Sequence, residues 1–258
     1  MNATATQILS LARRSVVRTL RQPAMVFPAV TFPLVLLAVN ASGLSSATRI
    51  PGFPTDSYLT FALAIPFMQG ALFAAMSAGT NIAEDVEGGF LNRLSLTPLR
   101  RTSLLVGQLA GVAALGLIQA VAFLAVGEIA GAGLAAGPGG ALVIIALSLL
   151  ITVGFGSIGA FMALRTGSGE AVQGLFPILF VALFLSSMSL PRNLISTDWF
   201  RTIATWNPVS YLLEAVRSLL IDGWDGQALA RGFIVAGVIA VVALLASASA
   251  LRTRMART

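Results

Sequence analysis

The sequence predicts an all-α polytopic membrane protein with six transmembrane helices in a single domain, residues 1–258. Of its 258 residues, 57% are apolar and only 10% are charged, whereas about a quarter of the residues of an ordinary soluble domain are charged. The mean hydropathy is +0.89. Six apolar segments are each long enough, at about 20–25 residues, to cross the roughly 30 Å hydrocarbon core of a bilayer.

An amphipathic helix over residues 7–21 is predicted before the first span. Its apolar positions are Ile8, Leu9, Ala12, Val16 and Leu20, and its basic positions on the opposite side are Arg13, Arg14, Arg18 and Arg21. Such a helix lies in the membrane interface, where arginines meet lipid phosphates and the apolar face reaches the acyl boundary. A secretory signal peptide is the alternative, but Pro28 and Pro33 interrupt the following apolar run.

Arginine placement predicts the orientation of the spans. The spans are expected near residues 24–42, 58–80, 104–127, 140–164, 171–190 and 232–251, with two long connections at residues 81–103 and 191–231. With a cytoplasmic N-terminus, eleven of the 16 basic residues fall on the inside and five on the outside. Because cytoplasmic segments of membrane proteins are enriched in basic residues, both termini are predicted to be cytoplasmic.

Three residue types are missing from the chain, and their absence excludes several function classes. There is no cysteine, histidine or lysine, so thiolate or imidazole metal ligands and histidine general bases are not available. The phosphate-binding loop of P-loop ATPases requires a lysine. We therefore expect no catalytic residue and no bound metal or cofactor, and any ATP hydrolysis must come from a partner. The pI of about 11.4 reflects arginines at span ends rather than nucleic-acid binding.

The loop between the second and third spans, residues 81–103, is predicted to contain a short docking helix. It contains three acids, Glu84, Asp85 and Glu87, then Gly88 and Gly89, then the apolar residues Phe90, Leu91 and Leu94, and finally Pro98. The glycines allow a sharp bend, the apolar residues recur at helical spacing, and the proline ends the helix. This pattern suits docking into a groove on a soluble partner. The alternative is a helix lying on the membrane with its acids solvated.

A second helix is predicted between the last two spans. Asn207 and Pro208 begin it, because the residue before a proline leaves the helical region and proline suits the first turn. Tyr211, Glu214 and Arg217 follow at three-residue steps and share one face, so Glu214 and Arg217 are expected to form an ion pair. Trp199 and Trp206 precede the helix as interfacial anchors. One possible arrangement of this segment is a hairpin lying flat on the leaflet.

Polar and small residues inside the spans give weaker signals. Gln69 and Gln119 fall in the second and third spans and either line a pathway or join helices by hydrogen bonds, the second role being slightly favoured. The glycines Gly107, Gly111, Gly154, Gly156 and Gly159 permit close helix approach. The phenylalanines Phe67, Phe73, Phe123, Phe155, Phe161, Phe176, Phe180 and Phe184 either build an apolar lateral cavity or face lipid.

Two of these segments resemble the type-2 ATP-binding-cassette (ABC) exporter permeases. The run EDVEGGFLNRLSLTPLRR over residues 84–101 is similar to the E-x-E-x-G-x-x-x-R-L-x-x-T-P motif between spans two and three of that family. The run NPVSYLLEAVRSLL over residues 207–220 is similar to its N-P-x-x-Y-x-x-E-x-x-R segment. The daunorubicin and multidrug-resistance subgroup is the most similar. Together with the span count and chain length, the resemblance covers almost the whole chain.

The resemblance implies a function, partners and site residues. It implies a bacterial plasma (inner) membrane permease subunit that pairs with a second copy or a sister permease and with two ABC ATPase subunits, which use ATP and Mg. The substrate would be a hydrophobic or amphipathic drug, antibiotic, lipid or lipid-linked glycan, moved outwards. Coupling to the ATPase would involve Glu84, Asp85, Glu87, Gly88, Phe90, Leu94 and Pro98. A re-entrant helical pair with Asn207, Pro208, Tyr211, Glu214 and Arg217 would shape the outer gate.

Two other classes remain as alternatives. An ion-coupled secondary transporter would place charged residues deep in several spans, and this sequence has almost none there. A membrane-embedded enzyme would need clustered acids, histidines or cysteines near an interface, and only Glu84, Asp85 and Glu87 are clustered.

Overall fold

The computed structural model describes residues 3–90 and 101–255, and within these residues the regular secondary structure is entirely helical. The helices are α1 (Ala3–Leu20), α2 (Pro23–Gly43), α3 (Tyr58–Ala62), α4 (Ala64–Glu87), α5 (Arg101–Ile129), α6 (Gly137–Thr166), α7 (Gly169–Gln173), α8 (Leu175–Phe184), α9 (Asp198–Trp206), α10 (Pro208–Ile221) and α11 (Gly226–Met255). The predicted Leu94 and Pro98 lie outside the described residues.

In the described part of the chain, five helical segments are long and apolar enough to cross a membrane. They are Pro23–Gly43, Tyr58–Glu87, Ser103–Ile129, Gly137–Thr166 and Gly226–Met255. Each contains one of the predicted spans or nearly all of it. A multi-pass membrane protein follows from their number and hydropathy.

The predicted fifth span, residues 171–190, does not form a helix of spanning length. The apolar segment at this position is the shorter Gly169–Phe184, which is divided at Gly174 into α7 and α8. Pro177 lacks the amide hydrogen that the carbonyl of Gln173 would accept in a continuous helix, and its ring crowds that carbonyl. The continuous hydropathy of this segment therefore conceals a break in its backbone.

The second span also contains a break, close to its first turn. Ser57 begins α3 by accepting a hydrogen bond from the amide of Thr60. The helix is interrupted at Leu63, between α3 and α4. Pro66 has no amide hydrogen for the carbonyl of Ala62, which accounts for an interruption at this position. The carbonyls around the break are therefore available to side chains from other helices.

The core of the bundle lies where α4, α5, α10 and α11 surround α6. Three glycines of α6 face three different neighbours: Gly154 lies against Ala240 of α11, Gly156 against Val112 of α5, and Gly159 against the backbone of α4. A methyl group at Gly159 would overlap a carbonyl oxygen of α4. The prediction that these glycines permit close helix approach is confirmed.

The N-terminal helix α1 packs along α5 through a stripe of small and polar residues. Leu11 lies against Gly107, and Ser15 lies against Gly111 and donates a hydrogen bond to the carbonyl of Gln108 at 2.8 Å. Glycines on α5 thus allow close approach here as well, as predicted for Gly107 and Gly111. The predicted apolar face contributes less to this packing, since Leu9 remains 62% exposed.

Candidate functional site

The acidic residues of the predicted docking loop lie on the last turn of the second span. Glu84, Asp85 and Glu87 are still helical, and α4 ends at Glu87. Gly89 adopts φ of +66°, a left-handed conformation that glycine tolerates best. The predicted bend is therefore found at Gly89, directly after the last turn of α4.

Asp85 is the centre of an ionic cluster. It is only 6% exposed and accepts hydrogen bonds from Arg18 at 3.0 Å, Arg14 at 3.3 Å and the amide of Gln108 at 2.8 Å. Glu84 adds a second contact to Arg18 at 2.5 Å. We call these five residues the Asp85 cluster, and it joins α1, α4 and α5. Buried charges that are paired and hydrogen-bonded in this way fix the relative position of the helices.

Gly88 ends α4, and the two predicted residues on either side of the Gly88–Gly89 turn, Glu87 and Phe90, differ in their surroundings. Glu87 is exposed and accepts a hydrogen bond from the backbone amide of Gly169 at 3.4 Å, which connects it to the start of α7. The ring of Phe90 is half-buried beneath the guanidinium of Arg14, 4.0 Å from the ring centroid. Glu87 therefore offers a carboxylate to solvent, while Phe90 is held by the Asp85 cluster.

At the opposite end of the second span, Asn207 begins α10 as predicted. Its side-chain oxygen accepts a hydrogen bond from the amide of Val209 at 2.9 Å, and Pro208 occupies the first turn. The Asn207 amide also donates to the carbonyls of Ala182 and Leu185 at 2.6 and 3.0 Å. One side chain thus begins α10 and satisfies two carbonyls around the end of α8.

The sequence predicted an ion pair between Glu214 and Arg217, and this prediction is wrong: Glu214 pairs with Arg192 instead. Its carboxylate accepts a hydrogen bond from Arg192 at 2.5 Å and another from the hydroxyl of Ser187 at 3.3 Å. Arg192 also lies over the ring of Tyr211, 4.6 Å from its centroid. The partner of Glu214 comes from the loop after α8, since that loop folds over the face of α10 that carries Tyr211 and Glu214.

Arg217 is buried, with only 5% of its surface exposed. Its Nε donates to the carbonyl of Phe61 at 3.0 Å, and its terminal nitrogens donate to the carbonyls of Ser187 and Met188. The guanidinium also lies 3.6 Å from the ring centroid of Phe61. Each accepting carbonyl lies beside a helix break or end, where the backbone has unsatisfied acceptors. Arg217 therefore joins α3, α10 and the segment after α8.

Gln69 and Gln119 are both buried, at 3% and 2% exposure. The amide of Gln119 donates to the carbonyl of Ala29 in α2 at 3.0 Å. This bond supports the predicted role as a connection between helices for Gln119. A role for either glutamine in lining a pathway remains a prediction.

Sequence reasoning missed the partners of the acidic residues. Arg14 and Arg18 were predicted to face lipid phosphates, and Gln108 and Arg192 were not singled out. A polar residue near a span end, such as Gln108, is a signal that could have drawn attention to this contact. Among the described residues there is no group of three acids, histidines or cysteines arranged to hold a metal ion.

A row of phenylalanine rings crosses one partly exposed face of the bundle. It runs from α2 through α4 to α8 and consists of Phe32, Phe73, Phe176, Phe180 and Phe184, whose neighbouring ring centroids are 4.9–5.8 Å apart. Phe32 and Phe184 are 40% and 51% exposed. Of the other phenylalanines predicted to form a lateral cavity, Phe67, Phe123 and Phe155 are instead buried in the core.

Comparison with known proteins places these features in a family. Residues 6–221 match the model of the ABC-2 type transporter. Over 213 residues the chain is 26% identical to a putative transport permease ycf38 from Porphyra purpurea, covering 82% of this chain and 72% of that protein. It is 24% identical over 221 residues to the probable doxorubicin resistance ABC transporter permease DrrC of Mycobacterium tuberculosis, covering 84% and 78%. The chain therefore belongs to the ABC-2 type transporter family, whose members are transmembrane permease subunits that work with separate ATPase subunits.

Proposed function

We propose that this permease exports a hydrophobic or amphipathic molecule across the plasma membrane, with both of its termini in the cytoplasm. It would act with a second copy or a sister permease and with two ABC ATPase subunits that bind ATP and Mg. The excess of arginines in the segments assigned to the inside supports this orientation. The Asp85 cluster would then lie at the cytoplasmic surface and the Arg217 contacts at the outer surface.

The row of phenylalanines is the observation that carries the proposed substrate class. Its rings form an apolar face on three helices, and two of its members are more than one third exposed. Aromatic faces of this kind favour flat or elongated apolar molecules, because ring stacking and apolar burial both contribute to binding. The doxorubicin in the name of one relative contains a flat aromatic ring system of this kind. Drugs, antibiotics, lipids and lipid-linked glycans are the candidates.

The Asp85 cluster supports coupling through the loop. Residues 84–101 would receive the movement of the ATPase, and Arg18 connects Glu84 and Asp85 to α1. Gln108 extends the connection to α5. Because α1 and α5 are both held to α4 by hydrogen bonds to its acidic side chains, a push on this loop would move them together as a rigid body. The roles of Leu94 and Pro98 rest on the family resemblance.

The re-entrant arrangement is supported by the length of α10. Its 14 residues, Pro208–Ile221, extend only about 21 Å at 1.5 Å per residue, less than the roughly 30 Å of hydrocarbon. After Asp222–Asp225 the chain turns directly into the last span. A short buried helix that returns to the same surface suits an outer gate, with Asn207 at its start and Glu214 and Arg217 further along holding it to neighbouring segments.

Transport by the purified complex tests the proposed function. The complex is isolated through a tag on this chain, reconstituted in liposomes, and supplied with doxorubicin and ATP-Mg. We expect an ABC ATPase to co-purify and doxorubicin to move only with ATP hydrolysis. Transport by this chain alone under an ion gradient would show a secondary transporter instead.

Substitutions in the loop test the coupling role. Glu87→Ala and Phe90→Ala should lower the number of molecules transported per ATP hydrolysed at least threefold, without lowering the amount of protein in the membrane. Glu128→Ala is the matched control, since Glu128 is an exposed acid at the opposite end of the bundle. Unchanged transport in both loop variants would remove Glu87 and Phe90 from the coupling contact.

A further inference from the structure

A cavity of about 460 Å³ lies beside the Arg217 contacts, between α10, the start of α3 and the first turns of α11. This volume falls in the usual range of small-molecule sites. Phe61 lies in the first turn of the span that begins at Tyr58, and Arg231 lies in the second turn of the span that begins at Gly226. Since both spans start here, the cavity is at the depth of lipid head groups.

The charged residues that line the cavity are balanced in sign. They are Arg192, Arg217 and Arg231, and Glu214, Asp222 and Asp225. A site with three positive and three negative groups gives little long-range attraction for a strongly charged molecule. It is complementary instead to a ligand that carries both signs.

The charges deep in the cavity are already satisfied, and at its mouth one oxygen of Asp225 accepts hydrogen bonds from the backbone amides of Gln227 and Ala228 at 2.9 and 3.1 Å. Glu214 is paired with Arg192, and Arg217 donates to three carbonyls. Within the described residues, the exposed side chains of Asp222 and Arg231 form no ion pair or hydrogen bond with other side chains or with the backbone. Two unused groups of opposite charge thus line one cavity.

The neighbouring groups strengthen the case for a cation beside Asp222. Partial desolvation by its surroundings and the nearby carboxylate of Asp225 raise the pKa of Asp222, and a bound cation would relieve the repulsion between the two acids. The aromatic faces of Phe61 and Tyr211 are already covered by Arg217 and Arg192. Recognition of an ammonium group here would therefore depend on the carboxylates rather than on a ring.

We propose that this cavity binds a zwitterionic head group that carries a phosphate and an ammonium, with Arg231 holding the phosphate and Asp222 and Asp225 holding the ammonium. Two sources supply this chemistry: a phospholipid resident in the adjacent leaflet, or the head group of a transported amphiphile. The proposal concerns binding to the permease alone, so it does not depend on ATP-driven export.

Native mass spectrometry of the full-length permease tests the binding. The protein is purified in dodecyl maltoside, stripped of lipid, and mixed with equal amounts of dioleoyl-phosphatidylcholine and dioleoyl-phosphatidylglycerol. We expect one phosphatidylcholine to be retained per chain in clear preference to the anionic lipid. Equal or preferential retention of phosphatidylglycerol, or no retention of phosphatidylcholine, would overturn the proposal.

Single substitutions locate the bound lipid. Arg231→Gln and Asp222→Asn should each lower the retention of phosphatidylcholine at least fivefold. The Arg231→Gln variant should not retain phosphatidylglycerol in its place. Arg49→Gln is the matched control, because Arg49 is an exposed arginine that does not line the cavity. Thermal unfolding of each variant verifies that it is folded. If all three variants lose the lipid equally, or none does, the lipid is bound elsewhere.

A second measurement separates the two sources. Fluorescently labelled phosphatidylcholine is placed in proteoliposomes that contain the permease with its ATPase. ATP-dependent movement of the label between leaflets identifies the head group of a substrate, and binding without movement identifies a resident lipid. Either result agrees with the site, and the binding assay remains decisive if the complex transports nothing.

Discussion

Replacement of Arg217 by methionine is expected to be the most disruptive single change at the outer end of the bundle. Methionine keeps much of the length and apolar stem of the side chain but removes every donor. The carbonyls of Phe61, Ser187 and Met188 would then be left without the donor that they have in the folded protein. These carbonyls lie in two separate segments, so no small adjustment of α10 satisfies all three.

The size of the effect follows from these contacts. Each buried carbonyl left without a partner costs at least about 1 kcal/mol, which gives roughly 3 kcal/mol for three. Loss of the contact between the guanidinium and the Phe61 ring adds about 1 kcal/mol. Removal of a buried charge recovers part of its desolvation cost, so a net loss of about 3 kcal/mol of unfolding free energy is expected. Lysine carries its donors on one nitrogen, and Arg217→Lys should lose about half as much.

Unfolding of the detergent-solubilised protein by titration with SDS, followed by tryptophan fluorescence, measures this loss. Arg201→Met is the matched control, since Arg201 forms an exposed ion pair with Asp198 and such pairs contribute about 0–1 kcal/mol. If Arg217→Met unfolds at the same SDS fraction as the native protein, the three hydrogen bonds do not hold the outer end together.

Three further results are expected. Gly159→Ala should destabilise the fold by about 1–3 kcal/mol because its methyl group meets the backbone of α4, whereas Gly237→Ala, with open space around it, should be neutral or stabilising; equal effects in SDS unfolding would refute this. Exchanging the charges of Arg192 and Glu214 should recover part of the stability that either single substitution loses, and strict additivity in a double-mutant cycle would exclude the pair. Asp85→Asn should free α1 from α4, seen as faster amide hydrogen exchange in α1; unchanged exchange would contradict it.

The long helices were predictable because hydropathy over 20 residues is a local property of the chain. The predicted fifth span forms a shorter, interrupted helix for a reason that hydropathy does not contain. Residues 171–190 are mostly apolar, but the helix is interrupted at Gly174, close to Pro177, and α8 ends at Phe184. The start of α10 was predicted correctly because it depends on a local contact: Asn207 accepts a hydrogen bond from the amide of Val209, two residues away.

Ion-pair partners were less predictable than helices. Glu214 and Arg217 are three residues apart, a spacing at which side chains of a helix can form an ion pair. In the structure, however, each of them binds a group from a segment that is distant in sequence. Arg192 is 22 residues from Glu214 in sequence, and no local pattern reveals that the loop after α8 folds over α10. For the same reason, the link between Asp85 and Arg18, 67 residues apart, was not predicted.

The second span connects the two charged regions of the molecule. At its first turn the carbonyl of Phe61 accepts from Arg217, and on its last turn Asp85 accepts from Arg18. Between them α4 is almost entirely buried and packs closely on α6 through Gly159. Since packed helices shift as units rather than bend continuously, we expect a displacement at Asp85 to be passed along α4 to the break beside Leu63. The carbonyl that Arg217 binds lies on the other side of this break, so α3 and α10 are the elements on which movement of the loop would act.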